Sequence, residues 1–126
     1  MTRAGLPGLL VTHLPDVRYL CGFTGSSAAL AVTRRTAHLF TDGRYKDQAA
    51  QEVQAALVQI VSSSPATSAV EWLASQPNVE LAGFDPGCTT VAELARWRAA
   101  LPYRLRRTFL SALSGPLVEP LRRIKD

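Results

Sequence analysis

No stretch of this chain constrains its fold as strongly as Ala28 to Thr41. Two short apolar runs, Ala28 to Thr33 (AALAVT) and Ala37 to Thr41 (AHLFT), are joined through the polar connection Thr33-Arg34-Arg35-Thr36. That spacing predicts a β-hairpin. The segment before it, Gly22-Phe23-Thr24-Gly25-Ser26-Ser27, is a predicted turn whose two glycines permit positive φ and whose hydroxyls can bond nearby backbone. The segment after it, Asp42-Gly43-Arg44-Tyr45, places Asp42 as the expected N-cap of a following helix. Both flanks leave the hairpin at the end away from its turn, so they are predicted to meet on one edge of a sheet. That edge is the candidate functional rim.

The remaining chain reads as alternating strands and helices. Leu9 to Thr12 is a predicted strand, and Pro15-Asp16 starts a short helix on which Leu14, Val17 and Cys21 share a face before Gly22 ends it. From Gly43 to Leu57 the recurrence of Tyr45, Ala49, Val53 and Ala56 predicts a longer helix, with Glu52 near the edge of its apolar stripe. Leu57 to Val61 is a predicted strand, closed by Ser62-Ser63-Ser64-Pro65 as a polar breaker. A second helix is expected from the capping-box spacing of Ser68 and Glu71, stopped by Pro77. Val79 to Phe84 reads as a strand and Asp85-Pro86-Gly87 as its turn. Thr90 and Glu93 then open a third helix whose Leu94, Trp97 and Leu101 face inward, and Pro102 closes it. Tyr103 to Arg106 alternates like a half-exposed strand, and Pro116 and Pro120 bracket a segment leading away. This order predicts an α/β domain with a mixed sheet of about six strands flanked by helices, over residues 1–115, followed by a linker at 116–126.

Composition narrows the functional classes. The 126 residues, 47% of them hydrophobic, suffice for one domain with its own core. No run approaches the roughly 18 apolar residues of a membrane span, so no membrane partner is expected and the expected compartment is the cytosol. Cys21 and Cys88 belong to no Cys-x-x-Cys pair and read as ordinary thiols. The net charge of +4 is spread over short arginine groups without interleaved aromatics. A solvated basic surface is therefore favoured over a nucleic-acid groove, which stays as the alternative reading.

Candidate chemistry is sparse. A two-metal hydrolase needs carboxylates and imidazoles converging from several elements, whereas His13, His38, Asp16, Asp42, Asp47 and Asp85 come from scattered positions. Gly25-Ser26-Ser27 leads into a strand, so it fits neither a nucleophile elbow nor a phosphate loop. Neither a catalytic residue nor a metal ligand is assigned. At the rim, Gly22, Gly25, Asp42, Gly43 and Tyr45 have a structural reading: turn, cap, tight entry and core stripe. Arg44 is left over. It is predicted to point away from the Tyr45 face, and an arginine at the positive end of a helix is expected to need a carboxylate or carbonyl partner.

Four segments in order, YLCGFTGSSAALAVT, LFTDGRYKDQAAQEV, GFDPGCTTVAELARWRAAL and LVEPLRRIKD, resemble the amino-terminal domain of the creatinase, prolidase and aminopeptidase P family. The likeness is nearest to its Xaa-Pro aminopeptidase branch and runs from about Gly8 to Asp126. Lys46 departs from the pattern, since an aromatic often follows Asp-Gly-Arg-Tyr in this branch. The resemblance implies a ribonuclease-H-like topology and a non-catalytic domain with no cofactor of its own. It further implies a separate C-terminal catalytic domain, with two divalent ions (manganese, cobalt or zinc) acting on proline-containing peptides, and a homodimer. By the same implication Phe23, Ser26 and Arg44 help form a wall beside the substrate entrance. The alternative of another class is a stand-alone ribonuclease-H-like module that binds nucleic acid.

Overall fold

The computed structural model describes residues 8–114, so the predicted linker at 116–126 and the Pro116–Pro120 segment lie outside the described residues. Six strands, β1 (Gly8–Val11), β2 (Ala28–Thr33), β3 (Ala37–Asp42), β4 (Leu57–Val61), β5 (Ala82–Phe84) and β6 (Leu110–Ala112), form one sheet in the order β4-β3-β2-β1-β5-β6. The hairpin is present, with Ala28 opposite Thr41 and Val32 opposite Ala37. Strand β2 is antiparallel to both neighbours, and the β3–β4, β1–β5 and β5–β6 pairs are parallel. Only β2 therefore runs against the other five. The mixed α/β sheet agrees with the expected class.

Strand alternation divides the core in two. Leu9, Val11, Leu30, Val32 and Leu39 face one side, where they meet Val17 and Cys21 of α1 (Leu14–Cys21) and Ala49 of α2 (Lys46–Glu52). Leu10, Ala29, Ala31 and Phe40 face the other, against α3 (Pro65–Ser75) and α4 (Val91–Ala100) with their Val70, Leu73 and Trp97. Strands buried on both faces need apolar residues at successive positions, which is why β1 and the hairpin read as continuous apolar runs.

Local signals account for several boundaries. Gly22 caps α1 in the left-handed conformation at φ 87°, its N–H donating to the Arg18 carbonyl. At α4 the capping box is complete: Thr90 Oγ1 accepts from the Glu93 N–H at 3.0 Å, and Glu93 Oε1 accepts from the Thr90 N–H at 2.9 Å.

Four expectations are corrected. The helix predicted over 43–57 is a 3₁₀ turn (Gly43–Tyr45) followed by α2, which ends at Glu52. Gln54 N–H donates to the Cys21 carbonyl at 2.9 Å and Ala55 takes φ 65°, so tertiary bonding turns the chain toward β4 while Val53 and Ala56 still pack on the core. Helix α3 starts at Pro65 with Ser64 as N-cap, four residues before the predicted cap, because Pro65 supplies a preset φ at the first helical position and Ser64 Oγ accepts from Thr67 N–H. Strand β5 is confined to Ala82–Phe84. Tyr103–Leu105 is a 3₁₀ turn, not a strand; the strand comes later, as β6, where Leu110 lies opposite Ala82.

Candidate functional site

The two flanks of the hairpin do meet. Thr41, fully buried at the end of β3, donates its hydroxyl to the Ser27 carbonyl at 2.6 Å, tying the glycine-rich turn to the strand that leads into Asp42. Beyond this tie, the Ser26 and Tyr45 hydroxyls hydrogen-bond at 2.5 Å. Phe23 lies beneath, its ring edge-on to Tyr45 with centroids 5.7 Å apart.

Each residue predicted for the rim has a defined place. Phe23 is 1% exposed, so it supports Tyr45 from below and presents no surface of its own. Ser26 and Arg44 are exposed, and Tyr45 is half-buried. Gly25 is needed for space, not for positive φ: a Cβ there would overlap the Phe23 ring and stand 2.9 Å from Tyr45 Cδ1. Gly43 has open space around it and no positive φ, so nothing local demands glycine at that position.

Arg44 differs from expectation in one respect and agrees in another. Its partner is a carboxylate, one of the two kinds expected: Nε and Nη2 donate to the two Asp42 oxygens at 3.0 and 2.8 Å, the fork-to-fork geometry suited to a guanidinium. The same Asp42 oxygen accepts the Arg44 backbone N–H at 3.0 Å, so one side chain caps the turn and aims the arginine. The guanidinium does not point away from Tyr45 but lies 5.2 Å from its ring centroid, in cation–π range. Its side chain remains 71% exposed.

The electrostatics follow from these contacts. The bonds from Arg44 hold the Asp42 carboxyl down at about 2. The hydrogen bond with Ser26 lowers the Tyr45 phenol, with the Arg44 charge a smaller contribution. The rim therefore carries an ionised carboxylate and an oriented cation at neutral pH, beside the hydrogen-bonded side-chain oxygens of Ser26 and Tyr45.

A second set of residues was not singled out from the sequence. Glu52 accepts the Thr24 N–H at 2.8 Å and the Thr24 hydroxyl at 2.9 Å, and Gln48 Nε2 donates to Thr24 Oγ1 at 3.0 Å. The Thr24 backbone bond is the main reason the Glu52 carboxyl is lowered. These contacts fasten the glycine-rich turn to α2. The available signal was the acidic residue at the edge of the α2 stripe, but its partner lies 28 residues away. Among the described residues no three His, Cys, Asp or Glu side chains converge on a common point, so they offer no donor set for a pair of metal ions.

The comparisons with known proteins agree with this architecture. The Creatinase/Prolidase N-terminal domain model matches residues 1–124. The N-terminal domain of the cytoplasmic peptidase PepQ from Mycobacterium tuberculosis is 36% identical, with a TM-score of 0.76, covering 96% of this chain and 91% of that one. An X-prolyl aminopeptidase from Caenorhabditis elegans, described as a cytosolic enzyme with a di-nuclear active site, has a TM-score of 0.70 at 25% identity; the match covers 96% of this chain and 22% of that one. In sequence, the Xaa-Pro aminopeptidase app-1 of Caenorhabditis elegans is 36% identical over 77 residues, 59% of this chain and 12% of that protein. The chain thus spans about an eighth of that relative's length. With the family model covering nearly every residue and the sheet superposing on solved amino-terminal domains, the chain belongs to the creatinase/prolidase N-terminal domain family.

Proposed function

We propose that this domain serves a metal-dependent Xaa-Pro aminopeptidase or dipeptidase as a non-catalytic partner of a C-terminal catalytic domain, shaping the substrate entrance and contributing to a cytoplasmic dimer. Hydrolysis of the bond before proline belongs, in this reading, to the catalytic domain and its divalent ions. The observation that carries the entrance role is the Arg44–Asp42 pair. A cation aimed by a bidentate carboxylate, within cation–π range of Tyr45 and yet largely exposed, is oriented at the cost of side-chain freedom. Such an arm suits a contact with peptide or with the neighbouring domain. Xaa-Pro aminopeptidase function among the relatives supports the substrate class.

The test is Arg44→Ala in the intact enzyme. A lost charge-assisted contact of about 1.5–3 kcal/mol is expected to lower kcat/KM about ten- to a hundredfold with the melting temperature little changed. Ser26→Ala is expected to act in the same direction and less, its hydroxyl being neutral. An Arg44→Ala enzyme with full kcat/KM on short and longer peptides would refute the entrance role.

A further inference from the structure

The sheet has two open edges, and they differ. Strand β6 is three residues long, the kind of short edge that offers a second chain little to pair with. Strand β4 has five residues, Leu57–Val61, and pairs with β3 alone, so its outer row of backbone N–H and C=O groups has no partner among the described residues. The usual blocks to edge pairing are missing from it. It contains neither proline nor a charged side chain, and its register with β3 runs from His38–Leu57 to Asp42–Val61 without a bulge. Its flanks in sequence are equally neutral: no charged residue lies between Glu52 and Glu71, in a chain of net charge +4. Two of its apolar side chains lie open, Leu57 at 58% and Ile60 at 42% exposure.

The strand is complementary to its own reverse. Val61 packs on the α3 side of the sheet and Val58 on the α1 side, so alternation groups Leu57 and Gln59 with Val61, and Ile60 with Val58. When two copies run antiparallel about a two-fold axis at Gln59, Leu57 stands opposite the partner's Val61, Val58 opposite the partner's Ile60, and Gln59 opposite the partner's Gln59. Each open apolar residue then meets an apolar partner on its own face, and the one polar residue meets a second amide. A shift of two residues in either direction would set an apolar residue against Gln59. We propose that β4 joins a second copy of this chain through this antiparallel pairing, making one continuous sheet. A second copy is favoured over an unrelated strand because the match is between β4 and itself, and an isologous two-fold contact closes both edges at once. The proposal rests on the dimer reading above and deepens it by naming the surface.

The experiment is sedimentation equilibrium of the 126-residue chain and its variants, with amide hydrogen exchange read at Leu57 to Val61. The wild type is expected to dimerise with a Kd below about 1 mM, and these amides to gain protection as concentration rises. Gln59 is exposed, and the two-fold axis sets its two copies opposite one another. Gln59→Glu and Gln59→Lys therefore each bring like charges together and are expected to weaken self-association at least about tenfold. Mixed in equal amounts, the two variants are expected to recover dimerisation through opposite charges, which a pair of misfolded variants would not do. A chain that stays monomeric up to about 1 mM, a Kd unmoved by the Gln59 variants, or a mixture no tighter than either variant alone overturns the proposal. So do β4 amides equally protected at every concentration, which would identify a segment of the same chain as the cover. The dimer reading is judged separately, on the intact enzyme: a monomeric enzyme overturns both, and a dimer that Gln59→Glu leaves unchanged overturns the edge alone.

Discussion

The two glycines that frame the rim should respond in opposite ways to the same substitution. In Gly25→Ala the new Cβ would overlap the Phe23 ring, which is itself 1% exposed, and would stand 2.9 Å from Tyr45 Cδ1. Real Cβ atoms do not tolerate such approach, so Phe23 or Tyr45 must leave its place. Overpacking of a filled site costs about 1–3 kcal/mol. Moving Tyr45 would also break its 2.5 Å bond to Ser26, a further loss of about 1 kcal/mol. In Gly43→Ala nothing lies within 4 Å of the added methyl and φ is not positive, so a less flexible unfolded chain should leave stability unchanged or raise it by about 0.4–1 kcal/mol. Urea unfolding followed by circular dichroism resolves the difference, which corresponds to a fall in Tm of about 4 °C per kcal/mol for Gly25→Ala. A Gly25→Ala protein as stable as the wild type, or a Gly43→Ala protein destabilised to the same degree, would show that space between Phe23 and Tyr45 is not what selects glycine at position 25.

Three further outcomes can be checked. Burial lowers the pKa of His38, which stacks on Trp72 at 4.2 Å; the unfolded chain therefore binds its proton more readily, and stability should be full above pH 6.5 and fall as pH drops through that value and below. Urea midpoints from pH 8 to 5.5 measure this. Asp42, already ionised down to about 2, takes no part in that window, its own contribution being lost only as pH falls from the ordinary carboxylate range toward about 2. A His38 variant that keeps the wild-type slope would refute the assignment. Thr90→Ala removes the acceptor of the Glu93 N–H and half of the capping box, with an expected loss of about 1 kcal/mol in the same urea assay. The purified 126-residue chain is expected to give no turnover of an Xaa-Pro peptide with manganese, cobalt or zinc, and turnover proportional to chain concentration would contradict the non-catalytic reading.

Much of the fold was legible where a signal is local. The hairpin appeared as two apolar runs around a polar connection, Gly22 as a helix stop, and Thr90 with Glu93 as a helix start, because each depends on residues within a few positions of one another. The α2 helix was read too long for a physical reason. Val53 and Ala56 continue the apolar stripe and do pack on the core, but the Gln54 bond to Cys21 and the left-handed Ala55 turn them in from an extended chain. Likewise Tyr103 to Arg106 alternates in polarity, yet its backbone coils into a 3₁₀ turn, and Leu110 is the residue that reaches the sheet edge.

The rim shows the same division. Its residues were identifiable, since a glycine-rich turn and Asp42-Gly43-Arg44-Tyr45 flank the hairpin in sequence, and the need of Arg44 for a carboxylate or carbonyl partner follows from the positive end of a helix. The pairing of Ser26 with Tyr45, the packing of Phe23 beneath them and the Glu52 clasp on Thr24 join positions 19 to 28 residues apart. Periodicity and capping signals act over one or two turns of chain, and so determined elements, caps and the hairpin. Which strand neighbours which, why Gly25 must lack a side chain and where Arg44 points were decided only when the folded sheet brought distant side chains into contact.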